Sequence, residues 1–156
     1  MQENSRHLRR LFRVWLPQPT YFITTCVAKR RSILASAAVQ RVLYEEWKQM
    51  DRRHGWAVGR FVVMPDHVHF FVREIPDQKG HTLARAIGSW KEWTAKQILP
   101  LTGTSRPLWQ AEFFDHVLRS TESMSQKWDY IRNNPVRSGL VSQPDEWPFQ
   151  GSIHFE

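Results

Sequence analysis

The stretch Trp56-Ala-Val-Gly-Arg-Phe-Val-Val-Met-Pro-Asp-His-Val-His-Phe-Phe-Val-Arg73 decides the fold. Its first half, Trp56 to Met64, is rich in β-branched and aromatic residues and reads as a strand. Pro65-Asp66 has the composition of a tight turn, because proline presets φ and aspartate caps its own backbone. A second strand, His67 to Arg73, then returns antiparallel to the first. Within it His67 and His69 fall on one face, while Val68 and Phe70 fall on the other.

Upstream of this hairpin, Val39, Val42, Leu43, Trp47 and Met50 recur at helical spacing, which predicts a helix over 37–53 with Gly55 just past its end. Before it, Tyr21-Phe-Ile-Thr-Thr-Cys-Val27 predicts a strand, followed by a basic loop at Lys29-Arg30-Arg31. Downstream, Leu83, Ile87, Trp90 and Ile98 mark a second helix, expected to close at Pro100. Residues 113–119 predict a fourth strand, and 121–133 a third helix stopped by Pro135.

The order β-α-β-β-α-β plus a helix is that of an α+β, ferredoxin-like antiparallel sheet, with helices on one face and an added C-terminal helix. Residues 1–19 read as a basic arm, 20–141 as the domain, and 142–156 as an irregular tail containing Trp147-Pro-Phe149. That architecture hosts many unrelated functions, so function has to come from particular residues.

The bulk properties narrow the partner. The chain has 156 residues, 41% of them hydrophobic, enough for one core. Its 22 Lys+Arg against 15 Asp+Glu leave a net charge of +7, and a basic surface attracts polyanions, nucleic acid foremost. A single cysteine, Cys26, excludes an internal disulfide framework and a cysteine-rich zinc site. The segment Leu11-Phe-Arg-Val-Trp-Leu16 is too short to span a membrane and contains Arg13. The expectation is a cytoplasmic protein with no membrane partner.

Two imidazoles side by side can hold one divalent metal through neutral nitrogens. An isolated His-x-His is a weak signal, since two exposed histidines on a sheet face satisfy it equally. On the third helix, Tyr130 and Asn134 are four apart and share a face, with Lys127 three residues before the tyrosine. Met124, Trp128 and Ile131 form that helix's core stripe, which puts Tyr130 at its edge. Edge packing is an equally ordinary role for such a tyrosine, and asparagine before proline commonly ends a helix.

The segments Val63-Met-Pro-Asp-His-Val-His-Phe70 and Tyr130-Ile-Arg-Asn-Asn-Pro-Val-Arg-Ser-Gly-Leu-Val141 resemble the signatures of the single-tyrosine HUH transposases. The resemblance is stronger to the REP-associated tyrosine transposases. Tyr21-Phe-Ile-Thr-Thr-Cys26, Leu108-Trp-Gln110, Phe114-Asp-His-Val-Leu-Arg119 and Trp147-Pro-Phe149 support it, in order, over residues 20–150. Gln150 and Gly151 depart from the small polar residues expected after the last motif.

The resemblance implies that His67 and His69 are paired metal ligands, that Asn134 is a further polar ligand, and that Tyr130 is the nucleophile. It implies a divalent cofactor, Mg²⁺ or Mn²⁺, and nicking and joining of single-stranded or hairpin DNA through a covalent 5′-phosphotyrosine, by a monomer or homodimer. Lys127, three residues before Tyr130, is a candidate both for a charge that favours the phenolate and for contacting DNA, although an exposed lysine is more often only solvated. Arg9, Arg10, Arg13, Lys29, Arg30, Arg31, Arg52 and Arg53 are candidates for phosphate contacts, and Trp109, in a loop, for stacking on a base. Trp47, Trp90 and Trp128 read as packing, and His116 as structural. The rival from another class is a non-catalytic hairpin-binding module, which would need none of the three catalytic residues together. A replication initiator or relaxase is a further rival, but those belong to longer chains.

Overall fold

Strand β1 (Thr20–Cys26) lies inside the sheet, between β3 (His67–Glu74) and β4 (Phe114–Leu118), with β2 (Trp56–Val63) outside β3. The structure is a computed structural model describing residues 18–156, so the arm arginines Arg9, Arg10 and Arg13 lie outside the described residues. All these pairings are antiparallel, and the sheet order β4-β1-β3-β2 is that of the ferredoxin-like fold.

A fifth strand, β5 (Gln150–Ser152), pairs with β2 and corrects the expectation of an irregular tail. It forms because β2 would otherwise be an open edge with unpaired backbone groups. The Trp147 indole donates to the Val63 carbonyl at 3.0 Å, and the Val63 N–H donates to the Phe149 carbonyl at 2.8 Å. A side chain at Gly151 would meet the Phe61 ring within 3.2 Å, so the departure at this position gives the strand its close approach.

Helices α1 (Ala37–Lys48), α2 (Met50–His54) and α3 (Leu83–Thr102) are the chain's main crossovers. Ser36 caps α1 by accepting from the Val39 N–H. The single helix predicted over 37–53 is in fact two, broken at Gln49, whose N–H turns back to Glu46 and Trp47. Gly55 then ends α2 in the left-handed conformation, φ 76°. Pro100 does not close α3. It sits inside the last turn, where the backbone bond it forfeits is cheap because Lys96 and Pro100 are both exposed, and Gly103 ends the helix at φ 63°.

Two cores result. On one face Trp47, Trp90, Phe61 and Phe70 are fully buried, and the Trp47 and Trp90 rings stack at 5.4 Å. On the other, α4 (Thr121–Arg132) lays Ile131, with Met124 and Trp128 partly buried, over Phe22, Val62, Phe71 and Leu118. The predicted stripe of α4 therefore faces the sheet. Each fully buried large side chain contributes roughly 1.5–3 kcal/mol through area removed from water. Pro135 does not stop a helix but opens a short one, α5 (Asn134–Arg137), where its missing N–H costs nothing. No helix among the described residues is long and apolar enough to cross a membrane.

Candidate active site

The site starts from the Pro65-Asp66 turn. The Met64 N–H donates to the His67 carbonyl at 2.8 Å, closing the hairpin. The turn's own carbonyls are fastened from outside, with Leu34 donating to Pro65 and Val27 to Asp66. This rigid tip launches β3 with His67 opposite Cys26 and His69 opposite Thr24. Because side chains alternate along β3, both imidazoles point to the face covered by α4.

Each ring is held by its Nδ1. His67 Nδ1 lies 2.7 Å from Asp66 Oδ1, and His69 Nδ1 lies 2.8 Å from the Thr24 hydroxyl. Phe22 stacks on the His69 ring at 5.2 Å. In the tautomer whose Nδ1–H donates to these acceptors, both Nε2 lone pairs face inward, 3.1 Å apart. The Asn134 amide sits 3.3 Å from one Nε2 and 3.2 Å from the other. Rotating the amide by half a turn would present its oxygen instead of its nitrogen.

Electrostatics favours neutral rings. Burial, then the charges of His67, Lys127, Arg137 and Arg30, push His69 down to about 3. Burial also lowers His67, against the opposing pull of Asp66. Asp66 itself is raised by burial, but hydrogen bonds to His67 and Arg30 outweigh that and hold it below the usual carboxylate range. Two neutral imidazoles and a carboxamide are a donor set of the kind that binds a divalent cation. Among the described residues no group of three His, Cys, Asp or Glu is placed to hold a metal ion.

Tyr130 is one turn before Asn134. It is 64% exposed, more than edge packing requires, and the Arg137 guanidinium lies 4.0 Å from its ring centre. It lines a shallow cleft with His116, Gln126 and Lys127. Tyr21 and Tyr44 pack on the opposite sheet face, Tyr21 against Trp56 and Tyr44 against Phe61. Tyr130 is thus the one tyrosine of three on the histidine side. Lys127 lies 4.9 Å from the Phe22 ring, beside His69.

Several DNA-contact expectations need correction. Trp109 is only 5% exposed; its indole donates to the Thr94 hydroxyl and packs on Trp90, so it cannot stack on a base. Arg31 is bound to the carbonyls of Ala28, Ser105 and Pro107, so it fastens a loop rather than tracking a phosphate. Arg30 donates to Asp66 at 2.8 Å and is part of the site's scaffold. Arg53 pairs with Glu46 at 3.0 Å. Lys29 is exposed. Thr24 and Phe22 were not legible as site residues, since finding them requires the β1–β3 register, whereas Asp66 holds its own sequence neighbour, His67.

The family described as "Transposase IS200 like" matches residues 17–134. The chain belongs to the IS200-like transposase family. A REP-associated tyrosine transposase of Escherichia coli K12 is 30% identical over 137 residues, covering 88% of this chain and 78% of that protein. A putative REP-associated tyrosine transposase of Haemophilus influenzae is 23% identical, covering 69% of this chain and 65% of that one. Among solved structures, a REP-associated tyrosine transposase bound to a REP hairpin superposes with TM-score 0.66 at 27% identity, covering 87% of this chain and 78% of that one. A putative transposase from Deinococcus radiodurans shares the fold, with TM-score 0.54 at 18% identity over 76% and 92% of the two chains. The fold and the REP-associated resemblance expected from the sequence of this IS200-like transposase both hold.

Proposed function

We propose that this transposase nicks and rejoins single-stranded DNA beside a hairpin, with Tyr130 as nucleophile and a divalent metal held by His67, His69 and Asn134. The observation that carries the proposal is the convergence of three donors, His67 Nε2, His69 Nε2 and the Asn134 amide, within 3.1–3.3 Å of one another. The relative of known structure bound to a REP hairpin supports the choice of hairpin DNA.

The chemistry follows from these residues. A bound Mg²⁺ or Mn²⁺ would offset the negative charge on a non-bridging phosphate oxygen. The Tyr130 hydroxyl loses its proton, and its oxygen forms a bond to phosphorus. The bond from phosphorus to the 3′-oxygen breaks, and that oxygen takes up a proton. The 5′-phosphate stays on the tyrosine, conserving the phosphodiester energy, and a 3′-hydroxyl later attacks it to restore the strand and release the phenol. Lys127 and Arg137 add positive charge around Tyr130 and His69.

The test is a covalent adduct. Incubation with a hairpin bearing single-stranded flanks, plus Mn²⁺, is expected to leave a DNA fragment on the peptide containing Tyr130, read by mass spectrometry. Tyr130→Phe is expected to bind the hairpin normally and form no adduct. An adduct on Tyr21 or Tyr44, or none with any hairpin, would overturn the proposal; the latter result favours a non-catalytic binding module.

A further inference from the structure

A second site lies on the same sheet face, at the far end of α4 from the histidines. Its origin is an irregularity in β2. Val58 pairs with Val72, yet Phe61 pairs with Phe70, so Gly59 and Arg60 together oppose Phe71 alone. This is a β-bulge, a device that re-aims a side chain. Here it turns Arg60 to the face carrying Arg73, which lies two same-face positions beyond His69, roughly 13 Å along the strand.

Arg60 and Arg73 line a cavity of about 240 Å³ with Phe71, Trp128 and Phe155. Gly59 is needed for its wall: a Cβ there would sit 2.5 Å from the Phe155 ring. Arg60 lies 5.0 Å from the Trp128 ring centre and Arg73 4.1 Å from that of Phe155. Arg73 gives one donor to the Thr20 hydroxyl and another to the Met124 sulfur, and burial lowers its pKa. Neither arginine forms an ion pair among the described residues; Glu156 lines the cavity, exposed, and pairs with neither.

Two cations placed together, partly desolvated and paired with no carboxylate although Glu156 lines the same cavity, form an anion site, because each keeps guanidinium donors that only an acceptor can satisfy. The aromatic faces of Trp128 and Phe155 accept no hydrogen bond in the plane of either guanidinium, and of the two arginines only Arg73 has side-chain hydrogen bonds, to Thr20 and Met124. Flat aromatic walls beside paired arginines suit a ligand that is an anion at one end and a ring at the other. A nucleotide is such a ligand. A shallow groove that shares Arg60, Trp128 and Glu156 with the cavity continues along Gln150 and Ser152 to Arg132, which is paired with Asp145 at 2.9 Å.

We propose that this cavity binds one unpaired nucleotide of the DNA substrate, its phosphate held by Arg60 and Arg73 and its base against Trp128 and Phe155. The inference rests on the DNA partner of the proposed function but not on the nicking chemistry. Bound there, the strand would be anchored at two points along β3, the second fixing its path across the histidines.

The experiment measures binding in chelator, where no nicking occurs, using a fluorescein-labelled hairpin whose single-stranded flank contains all four bases. Arg60→Gln is expected to bind about tenfold more weakly than wild type, with a log–log salt slope shallower by about 0.7, the share of one single-strand phosphate contact. Lys79→Gln, an equal loss of charge in the β3–α3 loop, is expected to change affinity less than twofold. With 5-iododeoxyuridine in the flank, crosslinks are expected on peptides containing Trp128 or Phe155. Melting curves confirm that Arg60→Gln is folded, and Arg73→Lys, which keeps charge and bulk but not the guanidinium fork, is expected to weaken binding in the same direction. If wild type binds and forms the Tyr130 adduct while Arg60→Gln matches it in affinity and slope, the cavity is not a nucleotide site and the catalytic reading stands. If Arg60→Gln is weakened as expected but no adduct forms on Tyr130, the cavity stands and the catalytic reading falls. Failure of wild type to bind the hairpin sinks both.

Discussion

The Thr24 hydroxyl lies 2.8 Å from His69 Nδ1, across the antiparallel pairing of β1 with β3. A threonine on a neighbouring strand thereby selects which nitrogen of the imidazole faces Asn134. Hydrogen bonds of this kind fix ring orientation and tautomer, and losing one typically costs about 10–100-fold in metal affinity or activity. Thr24→Val keeps the shape of the side chain and removes the acceptor. The Mn²⁺ concentration giving half-maximal nicking is expected to rise about tenfold, with hairpin affinity in chelator unchanged. An unaltered Mn²⁺ requirement would show that Thr24 only fills space.

Arg30 acts one step further out. It donates to Asp66, which holds His67, and it does so from a left-handed backbone, with Lys29 at φ 60° and Arg30 at φ 54°. Non-glycine residues in that region carry strain of about 1–2 kcal/mol each. Arg30→Gly relieves that strain while deleting the guanidinium. The melting temperature is expected to hold or rise, because an exposed ion pair contributes at most about 1 kcal/mol, whereas the Mn²⁺ requirement for nicking is expected to increase. A variant that melts earlier yet nicks normally at wild-type Mn²⁺ would contradict the assignment.

The sequence carried the β-α-β-β-α-β order, because alternation in β2 and β3 and the spacing of Val39, Leu43, Trp47, Ile87 and Trp90 are written locally. It also carried the shared face of His67 and His69, which needs only the strand period. Thr24 and Arg30 were hidden for a physical reason. Their roles depend on which residue of one strand or loop meets which residue of another, and a hydroxyl or carboxylate looks the same whether or not an imidazole lies opposite. β5 was missed because Gln150-Gly-Ser152 has no apolar alternation; it is a strand by virtue of the β2 edge beside it.

Acid should destabilise the protein through His69. Burial lowers its folded pKa to about 3 from an ordinary 6.5. Between those values the unfolded chain binds a proton that the folded one does not, so stability rises with pH there. The contribution is complete above about 6.5 and drains away as pH falls towards 3. In metal-free buffer, His69→Gln is expected to lose less melting temperature than wild type on going from neutral pH to about 4.5. Parallel curves for the two proteins would mean that His69 titrates normally.

Trp109 separates a surface role from a core role. Its position in a loop before β4 made it a candidate for stacking on DNA, yet its indole fills the space beside Trp90 and donates to Thr94, a buried hydroxyl on α3. The Val27–Trp109 bridge and the Gln110 N–H, which donates to the Cys26 carbonyl, tie this loop to the end of β1. Trp109→Ala therefore opens a cavity in the main core and leaves the Thr94 hydroxyl without its indole donor. The expected cost is about 3–5 kcal/mol, which denaturant melts will read. Trp109→Phe keeps the ring but loses the N–H, and a smaller loss is expected. Hairpin affinity per folded molecule should be unchanged in both. A stacking residue behaves in the opposite way, with full stability after Trp109→Ala and weaker binding of the single-stranded flank, and that pair of results would overturn the core assignment.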